Sequence, residues 1–125
     1  MVEQLDRLPG FGYEIFLAQM GGATNRVPAD ATAYPHRDVE FIMNVHGRWE
    51  DASEDDAGIA WCRDVFDATT PFATGGVYTN FMTAEETERV PDAYGECWDR
   101  LVELKRRYDP DNFFRFNQNI SPDAE

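Results

Sequence analysis

Tyr78 and Asn80 stand two residues apart in the run Val77-Tyr78-Thr79-Asn80-Phe81-Met82. Read as a strand, that spacing puts a phenol and a carboxamide on one face. A phenol donates and accepts hydrogen bonds and can pass a proton. A carboxamide offers both donors and an acceptor. The plainer reading is the solvent-facing side of a strand. Asn44 and His46 have the same spacing in the run Phe41 to His46. Asn44 suits a cross-strand hydrogen bond. His46 has no carboxylate or second histidine at useful spacing along the chain, which favours a structural histidine over a proton shuttle. His36 and Arg37 follow Pro35 in an extended dipeptide, and Asn117, Gln118 and Asn119 form a run of amides near the end.

The remaining reactive types argue against other chemistry. Glu54-Asp55-Asp56 and Glu85-Glu86 read as solvated faces or helix N-terminal charges, not as metal ligands or paired catalytic carboxylates. Cys62 and Cys97 are isolated and lack zinc or redox spacing, so they read as core thiols and no metal site is expected. With 24 acidic against 11 basic residues the formal net charge is −13, which repels phosphate backbones and anionic lipid headgroups. Neither nucleic acid nor a membrane surface is an expected partner. The acids are dispersed and Lys105 is the only lysine, a pattern that fits adaptation to high salt; an ordinary acidic protein is the alternative. Residues 1–10 carry Glu3 and Asp6 and no long apolar core, and no run approaches the ~20 apolar residues of a membrane span. A cytoplasmic location is expected.

The elements that must position these groups follow from periodicity. Met1 to Leu8 reads as the tail of a helix stopped by Pro9-Gly10. Tyr13 to Met20 and Phe41 to His46 read as strands, with a loop from Asn25 to Ala33 between them. Ser53 with Asp56 resembles a capping box opening a helix that runs to about Thr69, its apolar stripe built on Trp61 with Val65 and Cys62 with Phe66. Gly75-Gly76 opens a third strand, Val77 to Met82, and Thr83 to Pro91 is a charged, exposed excursion. A last helix covers Gly95 to Tyr108, with Trp98, Leu101, Leu104 or Lys105, and Tyr108 as its stripe. The expected class is α+β: a mostly antiparallel sheet of about three to four strands covered by two main helices. Residues 1–125 form a single small or partial domain, because a chain of this length buries roughly two-thirds of its unfolded surface.

An ordered set of landmarks points to a family. Gly21-Gly22, Tyr34-Pro-His-Arg37, Trp49, Ala60-Trp-Cys-Arg63, Tyr78-Thr-Asn80, Tyr94-Gly95, Arg100-Leu101 with Leu104-Lys105, Tyr108-Asp-Pro and Asn112-Phe-Phe-Arg115 occur in sequence. Together they resemble the C-terminal part of the berberine bridge enzyme-like FAD-linked oxidoreductases. The resemblance implies that residues 15–107 are the end of a substrate-binding domain. Residues 108–122 would be the C-terminal berberine-like tail, with the flavin-binding domain absent. It implies a substrate-side wall over the flavin of an enzyme oxidising alcohols, sugars or carbons next to amines.

The same resemblance implies roles for the residues above. Tyr78, Asn80, Asn117 and Gln118 would contact FAD, with Tyr78 a candidate for proton removal. Asn44, His46 and His36 would lie on the substrate side. Plant members carry a tyrosine base where this chain has Phe81, which cannot take a proton. No glycine-rich phosphate-cradling loop precedes the strands, so the chain alone is expected neither to bind FAD nor to be active. The alternative is a stand-alone, non-catalytic module that homodimerises or binds a partner, such as the flavin subunit of a split oxidase.

Overall fold

The structure, a computed structural model, describes residues 2–124. Met1, where the first helix was expected to begin, and Glu125 lie outside the described residues. The chain forms two compact units. One joins the stretch ending at Gln19 to Glu40–Thr74; the other joins Met20–Val39 to the chain from Gly75 onward.

The first unit contains α1 (Val2–Leu5), β1 (Tyr13–Gln19), β2 (Phe41–Gly47) and α2 (Asp55–Thr69). β1 and β2 pair antiparallel, with Tyr13 opposite Gly47, Glu14 opposite His46 and Phe16 opposite Asn44. Strand alternation therefore separates two faces. Tyr13, Ile15, Val45 and Gly47 point one way; Glu14, Phe16, Asn44 and His46 point the other. The long helix α2 packs on the Tyr13 side. The Tyr13 ring meets Trp61 edge-on at 5.4 Å and stacks on Trp49 at 5.8 Å. Gly58 makes that approach fit, because a Cβ there would lie 2.5 Å from the Trp49 ring. Trp61 and Val65 are buried, as their helical spacing predicts, but Phe66 is exposed and does not extend the stripe. The Trp61 indole donates to the Gln4 carbonyl at 3.0 Å and so ties α1 to α2.

The cap of α2 differs from the capping box predicted at Ser53 and Asp56. A 3-10 turn, Ala52–Glu54, precedes the helix, and the Asp51 carboxylate accepts the Ser53 backbone N–H at 2.8 Å. Asp51, two residues before Ser53, thus caps this 3-10 turn, and α2 follows from Glu54 with no side-chain cap bond of its own.

The second unit contains α3 (Val90–Tyr94) and α4 (Trp98–Tyr108), with two 3-10 turns, Thr24–Arg26 and Ala29–Ala31, in the expected loop. Met82, Val90 and Ala93 form its core, with Val77, Tyr94 and Trp98 packed against them. Cys97 is a core thiol; its Sγ donates to the Thr32 carbonyl at 3.2 Å. The Thr83 to Pro91 stretch is mostly exposed, as expected, but Val90 is buried and Glu86 accepts from Arg89 at 2.5 Å and from the Thr83 N–H at 2.8 Å.

Two further expectations are corrected. The run Val77 to Met82 is not a strand. Tyr78 is extended, but Thr79–Phe81 close a 3-10 turn through a 2.8 Å bond from the Phe81 N–H to the Tyr78 carbonyl. Alternation alone does not make a strand; a strand needs a neighbour for its ladder, and here the local turn bond takes that place. Among the described residues the sheet has two strands, not three to four, within an α+β arrangement. The stripe of α4 also shifts. Val102 is its buried residue, whereas Leu104 and Tyr108 are exposed. Lys105, not Leu104, turns inward, pairing with Asp109 and donating to the Phe114 carbonyl at 2.6 Å.

Candidate functional site

Residues of the second unit gather around Tyr78. Asn80 Nδ2 donates to the Tyr78 hydroxyl oxygen at 2.8 Å, so the phenol keeps its own proton to donate elsewhere. The 3-10 turn, not a strand face, brings the two together. The Tyr78 ring meets Tyr34 edge-on at 6.1 Å and Phe81 at 5.1 Å. Tyr34 in turn meets His36 edge-on at 5.5 Å, with the Arg37 guanidinium 4.8 Å over its ring. Burial pushes the Tyr34 phenol above the ordinary tyrosine range. Arg37 is fully committed to the backbone fold: it donates to the carbonyls of Tyr34 and Thr24, both at 3.0 Å, and to the Thr32 hydroxyl at 2.7 Å.

His36 packs tightly in the same unit. A Cβ on Gly76 would lie 2.5 Å from the His36 Cε1, so a larger residue there would require the ring to shift. The His36 Nε2 is buried and has no hydrogen-bond partner. Asn117 and Gln118 line a cavity of about 360 Å³ with Met82, Thr83, Ala84 and Thr87. Gln118 Nε2 donates to the Met82 carbonyl at 3.3 Å, which fastens the tail to the core. Asn117 is exposed and adopts a left-handed φ of 59°.

The other two candidates, Asn44 and His46, belong to the first unit. They share a strand face, as their spacing predicts, and His46 is not alone. Glu14 lies directly across the sheet, its Oε1 2.5 Å from His46 Nδ1. Asn44 Nδ2 is 2.7 Å from His46 Nε2. Arg48 donates to the same Glu14 oxygen at 3.3 Å. The hydrogen bond from His46 first, and the charge of Arg48 as well, hold the Glu14 carboxyl below the usual carboxylate range, against the opposing effect of burial. Glu14 was not visible as a candidate, because 32 residues separate it from His46 and only the strand register joins them. Tyr34 was likewise a family landmark without an assigned role.

Among the described residues, no group of three or more His, Cys, Asp or Glu side chains is arranged to hold a metal ion. No helix among them is long and apolar enough to cross a membrane.

Residues 77–121 match the family model described as "Berberine and berberine like". Berberine bridge enzyme-like 17 of Arabidopsis thaliana is 31% identical over 119 residues, covering 82% of this chain and 22% of that protein. The uncharacterized FAD-linked oxidoreductase YvdP of Bacillus subtilis is 33% identical over 118 residues, covering 94% of this chain and 26% of that protein. The wild-type structure of BBE-like 1 from Physcomitrella patens superposes with a TM-score of 0.84 at 21% identity, over 98% of this chain and 27% of that one. A variant of berberine bridge enzyme gives a TM-score of 0.79 at 22% identity, over 98% and 30%. These structural likenesses concern the fold. The chain spans about a quarter of the length of the curated relatives it matches.

Proposed function

The chain belongs to the berberine bridge enzyme-like family, and from that premise we propose that it supplies the substrate-side wall of an FAD-linked oxidoreductase acting on alcohols, sugars or amine-adjacent carbons. The observation that carries this reading is the polar face of β1 and β2 on the side away from α2, where Glu14, Asn44 and His46 stand. A wall beside a reacting substrate needs hydrogen-bonding groups held in fixed geometry by their own neighbours. In this proposal residues 15–107 end a substrate-binding domain and residues 108–122 form its tail.

The chain's groups suit part of a flavin but not all of it. The Tyr78 hydroxyl proton and the exposed Asn80 amide suit the alternating acceptors and donors along an isoalloxazine edge. Asn117 and Gln118 offer further amides beside a cavity that is at the small end for a drug-sized ligand. The charge of −13 disfavours the pyrophosphate, and among the described residues no basic side chain lines the cavity. The cofactor, when bound by the complete enzyme, supplies the hydride acceptor. Tyr78 would orient its ring and hold or move a proton at the phenol oxygen, while Asn44, His46 and His36 would orient substrate. Phe81 cannot share in proton transfer.

Two measurements test this. FAD mixed with the chain should separate from it on gel filtration; stoichiometric retention would overturn the view that the chain holds no cofactor by itself. The chain should also associate with a YvdP polypeptide trimmed of its matching quarter and alter the flavin absorbance of that polypeptide. An unchanged flavin spectrum with the chain in excess would sink the wall. The exposed Phe113, Phe114 and Phe116, at 73%, 75% and 85%, favour a docking role for the tail. Gel filtration in molar salt distinguishes a flavin-domain partner chain from a homodimer.

A further inference from the structure

The four polar groups on the open face of the sheet constrain one another's protons. Glu14 is a carboxylate and can only accept, so His46 Nδ1 must be the donor in their 2.5 Å bond. A neutral ring with its proton on Nδ1 has only a lone pair at Nε2. Asn44 meets that lone pair with its Nδ2 at 2.7 Å, the donor end of the amide. Arg48 pairs with the same Glu14 oxygen at 3.3 Å; its guanidinium also lies 3.4 Å from Nδ1, which as an N–H cannot accept from it. Glu14 and Arg48 are the charged groups against the ring: Glu14 from β1, Arg48 from just beyond β2. Phe16 lies opposite Asn44 in the register and is partly exposed, bringing an apolar ring to the same face.

We infer that Glu14 is a positioning residue, acting through the His46 ring to hold the Asn44 carboxamide with its oxygen outward as a hydrogen-bond acceptor. The chain of donors runs one way, from Asn44 Nδ2 to His46 Nε2 and from His46 Nδ1 to Glu14. Reversing the ring tautomer would put an N–H against the Asn44 amide nitrogen, two donors face to face, and force the amide to flip. Asn44 Oδ1 is therefore aimed at a ligand that donates, an alcohol O–H or an amine N–H, with Phe16 beside its carbon skeleton. The substrate class rests on the wall reading above; the tautomer lock does not.

The test uses the chain itself. Nitrogen NMR of the histidine rings in the intact chain should show His46 protonated at Nδ1 and bare at Nε2. A through-hydrogen-bond coupling should join Asn44 Nδ2 to His46 Nε2. Glu14→Gln replaces an obligate acceptor with an amide that can also donate, so the single tautomer should give way to a mixture and the coupling should be lost. Glu14→Asp, still an obligate acceptor, should keep the tautomer. Glu14 is exposed, so both variants should fold, and the backbone amide spectrum verifies this. A wild-type ring protonated at Nε2, or a Glu14→Gln ring that keeps one tautomer and its coupling, overturns the inference and leaves the wall reading standing. If the lock holds but the chain fails to alter the flavin of the trimmed relative, the wall reading fails alone.

Discussion

Asp109 gathers three donors at the end of α4: the Lys105 ammonium, the Phe113 N–H at 2.7 Å and the Phe114 N–H at 3.0 Å. Lys105, by its hydrogen bond first and its charge as well, and the two backbone N–H groups hold the carboxyl below its ordinary value of 3.8; burial acts the other way. A depressed carboxylate contributes stability that is fully present above the ordinary value and lost as pH falls through the folded one. We therefore expect the amides of Phe113 and Phe114 to lose exchange protection on acidification below 3.8, while α4 remains helical. Asp109→Asn should loosen them at neutral pH; tail protection that is the same in the variant would contradict the clamp. A second residue-scale prediction concerns Tyr78→Phe. The variant removes the acceptor used by Asn80, but Asn80 is exposed and water can replace the bond. Urea unfolding should show a loss below about 1 kcal/mol, which makes the variant a clean probe of flavin contact. Single residues were unevenly legible. The pairing of Asn44 with His46 followed from strand alternation. Glu14 and the Asp109 clamp did not, because the first depends on register and the second on a tail that folds back.

At the scale of elements, β1, β2, α2 and α4 were all readable, because each carries an apolar period and three of them stop at breakers: Gly21-Gly22, Pro71 and Pro110. The false strand at Val77 to Met82 had the period and the opening glycines but no partner, and the position of a partner is not written locally. The Gly58 contact decides a prediction here. Alanine in a helix is favoured over glycine by about 1 kcal/mol. At Gly58, however, its Cβ would fall 2.5 Å from the Trp49 ring and 2.6 Å from the Tyr13 hydroxyl. Overpacking of this kind costs about 1 to 3 kcal/mol. Both aromatic groups are boxed between strand and helix, so the clash should outweigh the propensity gain. Gly58→Ala should lower the melting temperature, and a stabilised variant would show that the rings move aside freely. Val65→Ala empties a fully buried site in the same helix and should cost about 2 kcal/mol by urea unfolding.

At the scale of the whole molecule, charge is the property that composition states outright and that no element explains. Of 24 acidic groups, 11 at most can face a basic one, and the formal excess is 13. Among the described residues two of the ion pairs, Arg7 with Asp64 and Arg48 with Glu14, sit at half or more of full exposure, while Arg89 with Glu86 and Lys105 with Asp109 are more sheltered. Exposed pairs contribute about 0 to 1 kcal/mol each. Salt acts on both sides of this balance, since it weakens the pairs and the self-repulsion together. The repulsion is the larger sum, because it runs among all the unmatched carboxylates and not between neighbours alone. Shortening the Debye length from about 10 Å at 0.1 M to about 3 Å at 1 M removes most of it. The melting temperature should therefore rise between 0.1 M and 1 M sodium chloride, a salt chosen over sulfate so that strengthened apolar burial does not imitate the effect. A melting temperature that stays level or falls across that range would mean the exposed pairs outweigh the repulsion, and the reading of this surface as adapted to salt would go with it.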